Sequence, residues 1–241
     1  MYNKEFQEII EFRRSNRKFN PEIEVPEEVM TRSLERTILS PNSSNMQLWE
    51  FHWIHDEKLK SEFVPLCLGQ NAAKTAKELM VFVTRRDLFR KRARWNKEQI
   101  LKAIEGREPN KMEKQGLDYY GKLMPLLYGR DPFGLLTTIR FSVGFFGGFF
   151  KPSMRFCGKT DQRIMVHKSC ALAAQTFMLS IAAEGFHSCP MEGFDKFRVR
   201  RKLGLPWGAE INMIIAVGQG TEAGIWGPRF RVDQSEVIVK H

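Results

Sequence analysis

The run from His167 to Glu184 limits what this chain can fold into more than any other segment, because it is apolar nearly all the way round a helix. A helix at a protein surface keeps one apolar stripe, so one that is apolar on every side belongs in the middle of a structure. Gly185 follows it and suits the left-handed residue that ends such a helix. The rest of the chain supplies neighbours for it. Trp49 to His55 is aromatic-rich and alternating, and Leu79 to Thr84 is a compact apolar run; both read as strands. Ile211 to Val217 reads as a third strand, buried on both faces. Phe6, Ile9, Ile10 and Arg13 fall on one side of a short amphipathic helix. Pro26 starts a second helix, in which Val29, Met30, Ser33, Leu34, Thr37 and Ile38 face a core before Pro41 ends it. A further helix runs from Asp195 to Leu203 and closes with Gly204 and Pro206. Helices separating strands too few for a doubly wound sheet predict an α+β layer arrangement, a mixed sheet flanked by helices. With no repeat or interdomain linker, the 241 residues read as one domain, 1–241.

Composition bounds the function. The chain is 42% hydrophobic, 12% aromatic and 27% charged, as folded globular proteins are. Its N-terminus is charged at once, which argues against a secretory signal. The longest apolar stretches, Ile139 to Phe150 and Ala171 to Ala183, fall short of the roughly 20 residues that span a bilayer, so no stable membrane insertion is expected. Cys67, Cys157, Cys170 and Cys189 are scattered without a C-x-x-C pair, which suits a reducing compartment. A cytoplasmic location is the expectation. The net charge of +10 invites a nucleic-acid reading. However, thirteen Lys/Arg against six Asp/Glu lie between Arg85 and Arg130, and such a run reads as a solvated helical face rather than a recognition surface, so no nucleic-acid partner is expected. Arg85 to Gln162 is the least regular segment, a charged helical part followed by a Phe/Gly-rich part. The stretch from Phe141 to Phe150 reads as core or pocket packing in preference to a membrane contact.

Four short constellations can carry chemistry. Arg13-Arg14-Ser15-Asn16-Arg17 puts three guanidiniums and a hydroxyl at a helix end, a cradle for phosphate or a basic helix end satisfying its own carbonyls. Ser40-Pro41-Asn42-Ser43-Ser44-Asn45-Met46-Gln47-Leu48-Trp49 is a polar loop whose groups could meet the polar edge of a heterocycle or satisfy a turn's backbone. In Pro190-Met191-Glu192-Gly193-Phe194-Asp195, Gly193 admits close backbone approach to a planar ligand, while Asp195 suits a helix cap. In Gly227-Pro228-Arg229-Phe230-Arg231, alternate residues of an extended segment point Arg229 and Arg231 the same way, toward one phosphate or into solvent. Other chemistries lack support. His167, His187 and Cys189 have no familiar zinc spacing, no G-x-G-x-x-G follows a strand, no G-x-S-x-G occurs, and Cys170 in the buried helix reads as an inert core thiol.

In this order and at these positions, the four segments resemble the nitroreductase family of FMN enzymes. Arg13, Arg14, Ser15 and Arg17 match the family's opening basic pattern; Pro41, Asn42, Ser43, Asn45, Gln47 and Trp49 match its polar loop; Pro190 to Asp195 matches its most recognisable string; Arg229 and Arg231 match its C-terminal basic pair. Asn71 and Lys74 match more loosely. The family commonly has serine at Asn42 and proline at Leu48. The resemblance covers roughly residues 5 to 84 and 163 to 240, and it implies a mainly antiparallel sheet and a homodimer with shared active sites. It further implies FMN held at its phosphate and ribityl end by Arg13, Ser15, Arg17, Arg229 and Arg231, with Asn71 and Lys74 at the polar edge of the ring. Glu192 and Gly193 would lie along the ring. The Pro41 to Asn45 loop would reach the partner's flavin, and an insertion at about 85–162 would cover the open face and select substrates. The implied activity is ping-pong hydride transfer from NAD(P)H through flavin N5 to a small nitroaromatic, quinone or enone, with no catalytic side chain. Reductive dehalogenation, flavin fragmentation, and non-enzymatic flavin or nucleic-acid binding are the alternatives.

Overall fold

Three runs rich in β-branched or aromatic residues and one short run that is not form one sheet: β1 (Trp49–Ile54), β2 (Glu78–Arg85), β3 (His187–Met191) and β4 (Ala209–Gly218), in the order β1-β2-β4-β3. The computed structural model describes residues 2–129, 131, 133–152 and 158–241, without the side chain of Leu136. Arg130 and Cys157, counted above among the basic residues and cysteines, lie outside them. Every strand pair is antiparallel, so the mixed sheet expected from the sequence is corrected to an antiparallel one. β3 was not foreseen as a strand. It is five residues long and contains Pro190, which a central strand would reject but which an edge strand tolerates because its missing N–H is not needed. The third expected strand runs longer than predicted, and its first half is only partly buried.

The helices are α1 (Asn3–Phe12), α2 (Glu27–Thr37), α3 (Glu57–Leu66), α4 (Asn71–Thr75), α5 (Phe89–Ala103), α6 (Lys111–Asp118), α7 (Met124–Tyr128), α8 (Leu135–Gly147), α9 (Lys159–Ala183), α10 (Lys196–Lys202) and α11 (Gln234–Val237). A π-helical turn, Tyr119–Leu123, joins α6 to α7. α9 is the central helix and begins two turns earlier than its apolar run. Cys170, Ala173, Ala174, Phe177 and Ile181 pack with Met80, Phe82, Ile215 and Val217 of the sheet and with Val29 and Met30 of α2. Small residues let α2 and α9 approach closely: Ser180 Oγ donates to Ser33 Oγ at 3.1 Å. Glu184, at the end of α9, pairs with both Arg32 and Arg36 of α2, and those guanidiniums hold its carboxyl below the usual range. α9 is long and apolar enough to cross a membrane, but half of its most apolar window is buried inside this fold. Gly185 sits at φ 81°, as a left-handed terminator should.

The opposite face of the sheet carries Leu79, Val81, Val83, Ile214 and Ala216, covered by Phe63 of α3, Ala72 and Ala73 of α4, Val199 of α10, and Phe19. A third cluster joins Met46 and Leu48 of the polar loop to Phe89 and Ala93 of α5, Met124 and Tyr128 of α7, and Val166. α5, α7 and the start of α9 are therefore anchored on that loop. α1 forms as expected, with its apolar side not fully buried. One sequence reading is overturned: the Phe-rich stretch is not core, because as helix α8 and the turn after it, Phe141, Phe145, Phe146, Phe149 and Phe150 are all exposed.

Candidate functional site

Arg13 ends α1 in an extended conformation, and the chain then runs beside the outer edge of β3, where Ser15 bridges Ser188 and the Asn16 amide donates to the Ser188 carbonyl at 3.2 Å. Asn16 is the staple of this segment. It is buried, its Nδ2 donates to the Thr221 carbonyl at 2.8 Å, and its Oδ1 accepts the Lys18 amide at 3.1 Å. A Cβ at Gly220 or Gly224 would collide with the Asn16 side chain, so those glycines make room for it. The tail then returns to α1. Arg14 Nη2 donates to the Gly227 carbonyl at 2.8 Å, and the Arg17 guanidinium lies 4.2 Å over the Trp226 ring.

These turns enclose a cleft of about 200 Å³ lined by Arg13, Arg14, Ser15, Arg17, Trp226, Arg229 and Arg231. Among the described residues, no carboxylate forms an ion pair with any of its five arginines. Burial pushes the Arg13 pKa down, and so do the neighbouring charges of Arg229, Arg231 and Arg14. A cation already crowded by cations is poised to receive an anion, and the planar forks suit a phosphate. Arg229 and Arg231 line the same cleft, and Arg229 also donates to the carbonyls of Ile10 (3.2 Å), Glu11 (3.0 Å) and Arg13 (2.8 Å), capping α1. Arg231 Nη1 donates to the Phe230 carbonyl at 2.8 Å.

β3 leads from this cleft to the next constellation. Pro190 and Met191 are its last residues, and the Met191 side chain is buried in the core, so only the backbone of this residue can face a ligand. Glu192 and Gly193 follow, exposed. Gln70, which the sequence reading passed over, donates through Nε2 to the Gly193 carbonyl at 2.6 Å and ties this loop to the start of α4. Asn71 and Lys74 are exposed on α4, and the Phe19 amide donates to Thr75 Oγ1 at 3.0 Å, joining α4 to the cradle strand. Asp195 acts as the helix cap, accepting from the Phe197 and Arg198 amides at 3.1 and 3.0 Å. One edge of the molecule thus carries Arg13, Arg14, Ser15, Arg17, Arg229, Arg231, Glu192, Gly193, Asn71 and Lys74.

Pro41, Asn42, Ser43 and Asn45 are elsewhere. Trp49 pairs with Thr84, and Thr84 with Glu210, at one end of the sheet; Ser188 pairs with Val217, and Val217 with Glu78, at the other. Along the strands that separation is roughly 20 Å, and β1 and β3 are opposite edges as well. The loop is also strained: Ser44, Asn45 and Gln47 have φ of 56°, 47° and 47°, a region that non-glycine residues seldom enter. Its neighbours hold it there. Asn45 Nδ2 donates to Asn96 Oδ1 (3.1 Å), Asn96 Nδ2 donates to the Asn45 carbonyl (2.9 Å), and Tyr120 Oη donates to the Ser44 carbonyl (3.0 Å). Ser44 Oγ lies 2.6 Å from Tyr119 Oη, Asn42 Oδ1 accepts the Gln47 amide at 2.8 Å, and the Ser43 amide donates to Ser169 Oγ at 3.2 Å. Asn96, Tyr119 and Tyr120 were missed because they lie in the irregular segment and bond a loop some fifty to seventy-six positions away.

The family profile described as "Nitroreductase family" matches residues 10–219. The chain belongs to the nitroreductase family. Protein DrgA of Synechocystis is 27% identical over 210 residues, covering 87% of this chain and 81% of that protein. A Bacillus subtilis protein with the provisional name NAD(P)H nitroreductase YdgI is 24% identical over 234 residues, 95% of each chain. Among solved structures, one from Exiguobacterium sibiricum in complex with FMN superposes with a TM-score of 0.66 at 21% identity, covering 98% of this chain and 97% of that one. In this nitroreductase-family member, burial pushes the Cys170 thiol up to about 12 and Cys67 up to about 11, and raises that of Cys189, which disfavours the reactive thiolate. His167 is on α9, where its Nδ1 lies 3.1 Å from Asn212 Nδ2, and His187 starts β3, where its Nδ1 accepts the Gly220 amide at 3.1 Å.

Proposed function

We propose that this protein is an FMN-dependent oxidoreductase of the nitroreductase type, and that its two separated site regions are completed by a second copy of the chain. The observation that carries the cofactor is the cleft of five arginines without a carboxylate. Arg13, Arg14, Ser15 and Arg17 would hold the phosphate, with Arg231 adding charge and Arg229 keeping the α1 end in place. Asn71 and Lys74 would face the polar edge of the ring, and the exposed backbone at Glu192 and Gly193, after Pro190 and Met191, would lie along it. When bound, FMN supplies hydride transfer at N5, taking two electrons from NAD(P)H and giving them to a small electron-poor acceptor such as a nitroaromatic, quinone or enone in ping-pong fashion.

Pro41, Asn42, Ser43 and Asn45 cannot reach their own cradle, being at the opposite corner of the sheet. They would approach the partner's flavin in a homodimer, with α5 to α7 bracing the loop and screening the ring. Phe6 and Phe12, exposed apolar residues of α1, support such an interface. A cytoplasmic location, where NAD(P)H is available, fits this reading. Purification with added FMN tests it: the expected result is a yellow dimer whose flavin absorbance bleaches on anaerobic addition of NADPH or NADH and recovers with an oxidant. A colourless protein that takes up no FMN would overturn it.

A further inference from the structure

Helix α8 is built inside out for a surface helix. Its small and polar stripe, Thr137, Arg140 and Gly144, faces the body of the protein: the Thr137 amide donates to Asp131 Oδ2 at 2.6 Å, Arg140 donates to the Leu126 carbonyl, and Gly144 is buried. Its apolar residues face out. Leu135, Ile139, Val143 and Phe146 form one exposed row at helical spacing, and Phe141, Phe145 and Phe149 form a second whose rings contact one another at 5.8 and 5.2 Å. Val143 is 69% exposed, Phe146 63%, Phe149 68% and Phe150 92%. A contiguous patch of this kind marks a surface that meets an apolar partner.

We propose that α8 and the Phe149–Phe150 turn dock the protein peripherally on an anionic lipid bilayer. Charge selects that occupant. Between Pro132 and Thr160 the chain has seven Phe and four Lys/Arg but no Asp or Glu, and the neighbouring stretch from Arg85 to Arg130 carries thirteen Lys/Arg against six Asp/Glu. Packing α8 of one copy against α8 of another would bring these like-signed segments together, whereas an anionic headgroup layer neutralises them while its acyl boundary takes the phenylalanines. Length sets the mode. Thirteen residues of helix extend about 20 Å, too short for a hydrocarbon core of about 30 Å, so α8 lies in the interface rather than crossing it.

The test is co-sedimentation of the flavin-loaded protein with vesicles of phosphatidylcholine, with and without phosphatidylglycerol. Binding is expected to the phosphatidylglycerol vesicles, about tenfold weaker without the anionic lipid. The F146S/F149S/F150S variant should bind the anionic vesicles at least about tenfold more weakly, since each ring contributes apolar burial. On the unaltered protein, amide exchange over 135–150 should slow when those vesicles are added. Failure to sediment, equal sedimentation of the triple variant, or unchanged exchange over α8 in vesicle-bound protein would each overturn the proposal. So would a triple variant whose oligomeric state falls below that of the wild type in sedimentation velocity, because a second copy would then be what covers the patch.

Discussion

Asn16 and Arg13 are three positions apart and do different work. Asn16 turns its side chain inward against Gly220 and Gly224 and fixes the strand; Arg13 faces the cleft among like charges. Asn16→Ala leaves the Thr221 carbonyl and the Lys18 amide without their partner and should lower the free energy of unfolding by about 1–3 kcal/mol, read by urea titration. Arg13→Ala removes charge-assisted bonds to the proposed phosphate and should weaken FMN binding about tenfold to a hundredfold in a fluorescence titration, with little change in the unfolding midpoint. Arg229→Ala should lower both, because it also exposes three carbonyls at the end of α1. The basic positions were legible as residue types in a resembling order. Asn16, Gln70 and Asn96 were not, because nothing local distinguishes a stapling amide from any other; their partners are between 51 and 205 positions away.

At the level of elements, the apolar runs that became β2 and α9 could be read directly, since burial on both faces or on all sides leaves a continuous signal in the chain. β3 could not, because its five residues include a proline and its pairing depends on lying at an edge. α8 showed its composition but not its orientation: an all-apolar helix inside a core and one facing outward look alike in sequence. Phe177 of α9 is completely buried between the sheet and α9's neighbours, and Phe177→Ala should cost about 3–5 kcal/mol of stability by the same urea measurement. Asn96→Ala tests the bracing of the strained loop by α5. Freed from Asn96, Asn45 should leave its left-handed backbone, and the proposed flavin should dissociate faster with the unfolding midpoint shifted only modestly.

For the whole molecule, acid should act through a half-buried histidine, His187. Burial lowers the His187 pKa from its ordinary 6.5, and its Nδ1 accepts the Gly220 amide, a bond that protonation there removes. The unfolded chain therefore binds this proton more readily than the folded one, and stability should fall as pH drops below about 6.5. Thermal unfolding between pH 8 and pH 5 checks the direction, and His187→Gln should flatten the decline.

The bond from Arg14 to Gly227 joins positions 213 residues apart. A ribosome adding about 5–20 residues per second makes Gly227 roughly 10–40 s after Arg14. Through that interval α1 and the strand after it can form, but the arginine cleft has only one wall. Seating of the proposed phosphate should therefore be complete only after synthesis, and a nascent chain halted before Trp226 would carry most of the fold with one wall of the cleft.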